Sequence, residues 1–235
     1  MATDTTTDAA RIGALADPIR EALYAHVASH DDAVGRDAAA AALDLPPHVA
    51  KFHLDKLVEA GLLDVEFRRL SGRTGPGAGR PSKLYRRAAG TVAVSLPPRR
   101  YDLAGHLLAR AIERSATGIP LDDAIAAVAH EEGERIGAGG TTDVDGPELD
   151  RLGGVLAAHG YEPRIAQERM LLANCPFDSL AREHTGLICA MNHAYVRGVA
   201  DGLGCSHLEA DLDPGENRCC VTVQRTGAAP VQSAR

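Results

Sequence analysis

No apolar run in this chain approaches the roughly 18 residues a membrane-spanning helix needs, and the N-terminus, MATDTTTDAARIG, has no apolar h-region. The sequence therefore predicts a cytoplasmic protein, neither membrane-spanning nor exported by a recognisable signal. Signatures of catalysis are missing as well. There is no GxSxG, P-loop or HExxH pattern, and Cys219-Cys220 is not a CxxC redox pair. The glycine-rich stretch 72–79 lacks the strand-to-helix setting of a phosphate loop, and Glu131, Glu132 and Glu134 fit a solvated helix face. The expectation is a protein that is not an enzyme, with no catalytic residue to assign. Lysine is scarce, 3 against 22 arginines, which together with abundant Ala, Gly and Asp reflects coding bias. Cysteine is absent from the first 174 residues, so all five fall in the last 61, at Cys175, Cys189, Cys205, Cys219 and Cys220.

What is present is a soluble composition, 45% hydrophobic and 24% charged, on a chain of 235 residues that suffices for one large or two ordinary domains. The net charge of −7 conceals a split: −5 over residues 1–50, +7 over 51–100 and −9 over 101–235. One basic block inside an acidic protein is the electrostatic footprint of a nucleic-acid surface.

That block is built in a particular order. Residues 8–28 carry Ile12, Leu15, Ile19, Leu23 and Val27 near the 3.6-residue period of a helix that Pro18 should kink or restart. A short Ala-rich helix follows at 36–43. Pro46 or Pro47 suits the first turn of a third, ended by Gly61. This third helix turns Val49, Leu54, Leu57 and Val58 inward and His48, Lys51, Phe52, Asp55 and Lys56 outward, and His53 is expected to serve DNA with them. Two strands, LLDVEFRRL and KLYRR, flank a Gly/Pro/Arg tip, giving a basic wing with Arg68, Arg69, Lys83, Arg86 and Arg87 on its arms and Arg73 and Arg80 at its tip. Helix, turn, helix and wing form a DNA-binding domain over 8–94. A winged helix that meets protein rather than DNA is the alternative. The DNA contacts assigned are His48, Lys51, Phe52, His53, Lys56, Arg68, Arg69, Arg73, Arg80 and Lys83.

The segment SLPPRR at 95–100 reads as a linker, 101–226 as a second domain and 227–235 as a flexible tail, for an α+β fold overall. Helices are expected at 101–116, 121–137, 148–160 and 186–202, one strand within 162–173, and strands at 206–212 and 218–225. Leu103, Leu107, Leu108 and Ile112 form a stripe suited to homodimer packing. Cys175, Cys189, Cys205 and Cys219 then fall at element ends, where amides and loops stabilise thiolates. Such soft ligands select iron–sulfur clusters or Zn, although thiol redox sensing and core packing stay open. Cys220, alternating with Cys219, is read as core. His184, His193 and His207 are possible completing ligands, and Asn192 and His193 possible groups behind the ligands.

The run VAKFHLDKLVEAGLL with its GRPSKLY wing resembles the winged helix-turn-helix regulators of the ArsR and MarR-like class. NCPF at 174–177, Cys189, Cys205 and GENRC at 215–219 narrow the likeness to the SufR-like iron–sulfur repressors of cluster-assembly genes. An adjacent Cys220 departs from that pattern. The resemblance implies a 4Fe-4S or 2Fe-2S cluster on Cys175, Cys189, Cys205 and Cys219 (alternatively Zn), controlling how a homodimer binds an inverted-repeat operator in double-stranded DNA. A Zn- or thiol-sensing regulator on the same scaffold is the alternative.

Overall fold

Asp17-Pro18 gives the chain its first firm instruction. Proline at the first helical position gives up only an amide that lacks a partner in any helix, and the Asp17 carboxylate accepts from the amides of Ile19 and Arg20 at 2.9 and 3.1 Å. The helical pattern is accordingly restarted at Pro18, giving α1 (Thr5–Ala14) and α2 (Pro18–Ala28). The structure is a computed structural model and describes residues 5–69, 81–140 and 146–226. It divides into two units, the first ending at Val94 and the second beginning at Ser95.

In the first unit, β1 (Val34–Gly35), α3 (Arg36–Ala42), α4 (Pro47–Glu59), β2 (Leu63–Arg68) and β3 (Ser82–Arg87) follow. Gly61, at φ +68°, ends α4: its amide reaches Val58 O and the Leu62 amide reaches Leu57 O, both at 2.9 Å, a paired C-cap that turns the chain directly into β2. β2 and β3 pair antiparallel from Leu63 opposite Arg87 to Arg68 opposite Ser82. The two-residue β1 adds to the other side of β3, giving the order β1-β3-β2. It had no alternating pattern long enough to be read from sequence. Leu23, Val27, Ala50, Leu54, Leu57 and Tyr85 form the core.

The second unit contains α5 (Tyr101–Ser115), α6 (Leu121–Gly139), α7 (Glu148–Ala158), β4 (Pro163–Ala166), β5 (Arg169–Leu172), α8 (Asp178–Glu183), α9 (Thr185–Gly202), β6 (Leu208–Leu212) and β7 (Val221–Arg225). Its antiparallel sheet runs β4-β5-β7-β6. Where one strand was expected within 162–173 there is a hairpin. Its two-residue loop, Gln167-Glu168, has both φ angles positive, at 48° and 65°. Such loops favour Asn-Gly, so this one carried no turn signal. The α5 stripe also differs from expectation. Leu103 and Leu107 are buried in the unit's own core, and of the four only Ile112, at 61%, is strongly exposed.

α6 and α9 meet backbone to backbone. Gly133 and Gly137 of α6 face Gly198 and Gly202 of α9. A Cβ at Gly133 would lie 2.8 Å from the Val199 nitrogen, one at Gly137 2.9 Å from the Leu203 nitrogen, and one at Gly198 2.8 Å from the His130 carbonyl carbon. No side chain fits between these helices. We predict that Gly198→Ala lowers stability by about 3 kcal/mol through forced separation. Gly105→Ala, in open space on α5, should instead raise it by about 0.5–1 kcal/mol. Urea unfolding of both variants checks the contrast.

Candidate functional site

The outer face of α4 exposes His48, Lys51, Phe52 and Lys56. Phe52 is 57% exposed, an unusual place for an aromatic ring unless something is to cover it. His53 is a correction: at 9% exposure it turns into the unit, with Nδ1 3.8 Å from the Asp17 carboxylate and the Phe52 ring edge-on at 5.2 Å. It lies one position from Phe52, about 100° round the helix, which carries it from the outer face to the side that packs on α2. Its place is to support Phe52 and the start of α2 rather than to touch a ligand.

Asp55, taken from sequence only as an outward residue, organises the face. Its Oδ2 accepts from Lys51 Nζ at 2.8 Å, and its Oδ1 accepts from Lys83 Nζ at 2.5 Å and from the Tyr85 hydroxyl at 3.1 Å. One carboxylate thus ties α4 to β3 and sets two of the assigned lysines side by side. Burial alone would raise the Asp55 carboxyl, but the hydrogen bonds from Lys51, Lys83 and Tyr85 outweigh it and hold the pKa at about 2. Burial and then the Asp55 charge push Tyr85 up to about 12. Lys56 pairs with Glu59 at 2.6 Å, and Arg68 lies 3.5 Å from Glu66 and 3.9 Å from Asp32. Arg69 is exposed, as are Arg86 and Arg87. Arg73, Arg80 and the tail 227–235 lie outside the described residues.

In the second unit Cys175 follows β5, Cys189 lies in the second turn of α9, and Cys219 and Cys220 precede β7 rather than opening it. The Cys175 and Cys219 thiols are neighbours, and Cys220 neighbours both Cys219 and Cys189. Cys220 packs against the core, as expected, but beside the other thiols rather than facing away from them. Cys205 is not part of it. It sits past the C-terminus of α9, its Sγ 3.8 Å from Glu148 O. The 13 residues of helix between Cys189 and Gly202 put about 20 Å between the two ends. No compact site takes both.

Behind the thiols, Asn192 donates Nδ2–H to Cys219 Sγ at 3.1 Å and accepts the Tyr161 hydroxyl at 2.5 Å, and the Val221 amide points to the same sulfur at 3.5 Å. The hydrogen bond with Cys219, then burial, raises Cys175 far above the ordinary thiol range. For Cys219 the bond from Cys175 lowers the pKa, but Cys220 and burial outweigh it and push it up to about 11. Burial also raises Cys189 and Cys205. Cys175, Cys189 and Cys219 are thus protonated near neutrality, and any metal must displace those protons. Among the described residues no three His, Cys, Asp or Glu side chains are arranged to hold a single metal ion. Two of the candidate histidines are occupied otherwise: His193 donates Nε2–H to Ala210 O at 2.7 Å and His207 pairs with Glu148 at 3.2 Å, while His184 is exposed just before α9.

A testable pH dependence follows from Asp55. Its folded pKa is below the usual carboxylate value, so its contribution to stability is complete above about pH 4 and is lost as pH falls toward 2. Asp55→Asn should therefore lower the urea midpoint near pH 7, and the gap to wild type should close on acidification toward about pH 2. A gap independent of pH would show that the carboxylate charge is not what joins α4 to β3.

Residues 15–66, from the turn after α1 into β2, match the sequence model of a family described as a helix-turn-helix domain. No curated protein and no solved structure matches the chain. Among the described residues no helix is long and apolar enough to cross a membrane. With its mixed helices and sheets, the chain carries an N-terminal helix-turn-helix domain of the kind found in DNA-binding transcription regulators.

Proposed function

We propose that this protein is a transcriptional repressor whose affinity for DNA is set by an iron–sulfur cluster bound at the second unit's thiols. The observation that carries the sensor half is the convergence of buried Cys175, Cys189 and Cys219 and half-buried Cys220 from three separate chain segments. The donor set is all sulfur, which suits iron–sulfur chemistry, and Asn192 and the Val221 amide supply donors to a ligand sulfur. Cys175, Cys189 and Cys219 would hold the cluster, with Cys220 in place of Cys205 as the fourth thiol. When bound, the cluster supplies a redox-sensitive cross-link between the end of β5, the start of α9 and the lead into β7.

On the DNA side, α4 enters the major groove with His48, Lys51, Phe52 and Lys56 outward, while Lys83, Arg68 and Arg69 follow the phosphates. Lys51 and Lys83 are set side by side by Asp55, so they meet neighbouring phosphates without a search through rotamers. A homodimer on an inverted repeat fits the two-fold habit of such regulators. Ile112, Ile119 and Leu121 are the exposed apolar side chains around the α5–α6 turn that a second copy would cover. One observation favours a second reading: Cys175 and Cys219 are neighbouring buried thiols, the pair a thiol-redox sensor without iron would use.

DNA selected from a random pool tests the function. Binding should weaken steeply with salt and differ between cluster-loaded and stripped protein. Cys175→Ser, Cys189→Ser and Cys219→Ser should lose the visible absorbance and that difference, whereas Cys205→Ser keeps both. If Cys205→Ser lost the absorbance as completely as Cys175→Ser, the ligand set would be wrong. No salt-dependent DNA binding in any state would remove the repressor reading.

A further inference from the structure

Residues 95–100, SLPPRR, have the composition of a free extended spacer, and they join the first unit's last residue, Val94, to α5. In the structure its second half, residues 98–100, is fastened down by hydrogen bonds. The Arg99 amide donates to Ser95 Oγ at 2.8 Å, and the Arg100 amide donates to Pro176 O at 3.0 Å. Pro98 O accepts from Asn174 Nδ2 at 3.1 Å, and the same Nδ2 donates to Gly160 O at 2.6 Å. Gly160, at φ +90°, lies beneath two prolines: a Cβ there would lie 3.2 Å from Pro98 Cβ and 3.7 Å from Pro176 Cγ.

The guanidinium of Arg99 completes the arrangement. Its Nη1 donates to Asn174 Oδ1 at 2.5 Å and to Cys175 O at 3.3 Å, and its Nη2 lies 3.7 Å from Asp178 at the start of α8. The Arg99 side chain is 20% exposed and Asn174 only 6%, so these partners are not readily replaced by water. Three consecutive residues thus grip the segment, each by a different group: the Asn174 side chain, the Cys175 carbonyl and the Pro176 carbonyl. The middle one carries the thiol that neighbours Cys219.

We infer that Arg99 and Asn174 are positioning residues of a latch through which the state of the Cys175 thiol reaches the segment leading to the winged helix. The inference rests on the regulatory reading above and gives it a route. Ligating Cys175 to the cluster, with loss of its thiol proton to solvent, moves its sulfur relative to Cys219. The backbone that must adjust is the one whose carbonyls hold Arg99 and Arg100. Two states of the turn therefore mean two states of the segment, which is the differential contact that linkage between sites requires. A purely structural role for Arg99 predicts a loss of stability and nothing else.

The test uses the full chain with Arg99→Gln, and with Asn174→Asp as a near-isosteric second variant that removes both amide donors. Each should keep the visible absorbance and bind DNA. The ratio of affinities between loaded and stripped protein should fall from a wild-type value of about 5–150 to within about twofold of unity. A wild-type ratio in variants that keep the absorbance would overturn the latch, however much their stability fell. Hydrogen exchange at the Arg100 amide of wild-type protein gives a readout that needs no DNA. Its rate should differ at least about tenfold between stripped protein with free thiols and protein whose thiols are ligated. Equal rates would overturn the latch even if DNA affinities differed. Unequal rates with equal DNA affinities would sink the regulatory reading and leave the latch standing.

Discussion

The approach of α6 to α9 at backbone distance is the constraint on which the rest of the second unit depends. Gly133, Gly137, Gly198 and Gly202 leave no room for a methyl group between the helices, so the register of one against the other has a single solution. α9 carries Cys189 and Asn192 near its start and delivers Cys205 past its end. Once α9 is fixed, so is the separation of these cysteines, and the sheet strands β5 and β7 bring Cys175 and Cys219 to the start of the helix rather than to its end. The position of the thiol group is therefore a consequence of helix packing more than of cysteine spacing. His130, paired with Asp201 at 2.7 Å, flanks the same contact at the surface.

Much of the winged helix was legible because each of its boundaries has a local cause. Pro18, Pro47 and Gly61 act within a turn of where they stand, and β2, LDVEFR, alternates apolar and polar residues on a period of two. The unread parts share a different origin. β1 is two residues long and exists only because β3 offers it an edge. The β4–β5 hairpin turns on Gln167-Glu168, residues that adopt positive φ because the strands require it. His53 faces inward because α2 presents Asp17 to it, and Asp55 gains its importance from Lys83 and Tyr85, 28 and 30 residues away. None of these is a property of a local window.

The cysteines show the same division from another side. Their concentration in one half of the chain announced a site, but the family resemblance implied Cys205 as an equal member of the ligand set with Cys175, Cys189 and Cys219. One sequence signal against that was available: an uninterrupted helical pattern between Cys189 and Cys205, whose length alone holds them about 20 Å apart. The role of Cys220 was hidden by reading it as the second residue of a strand. β7 begins only at Val221, so no alternation separates the Cys219 and Cys220 side chains. Asn174 and Arg99 carry no motif at all, and only the folded turn reveals that the chain entering the second unit is held by the residues around a thiol.

The account stands or falls on what the buried thiols hold. The most direct measurement is the ultraviolet–visible spectrum of protein purified without oxygen, with iron, sulfide and zinc assayed on the same sample. The account predicts a brown protein absorbing near about 400 nm, with iron and acid-labile sulfide in matching amounts and zinc absent. A protein that stays colourless and free of iron after anaerobic reconstitution would contradict it.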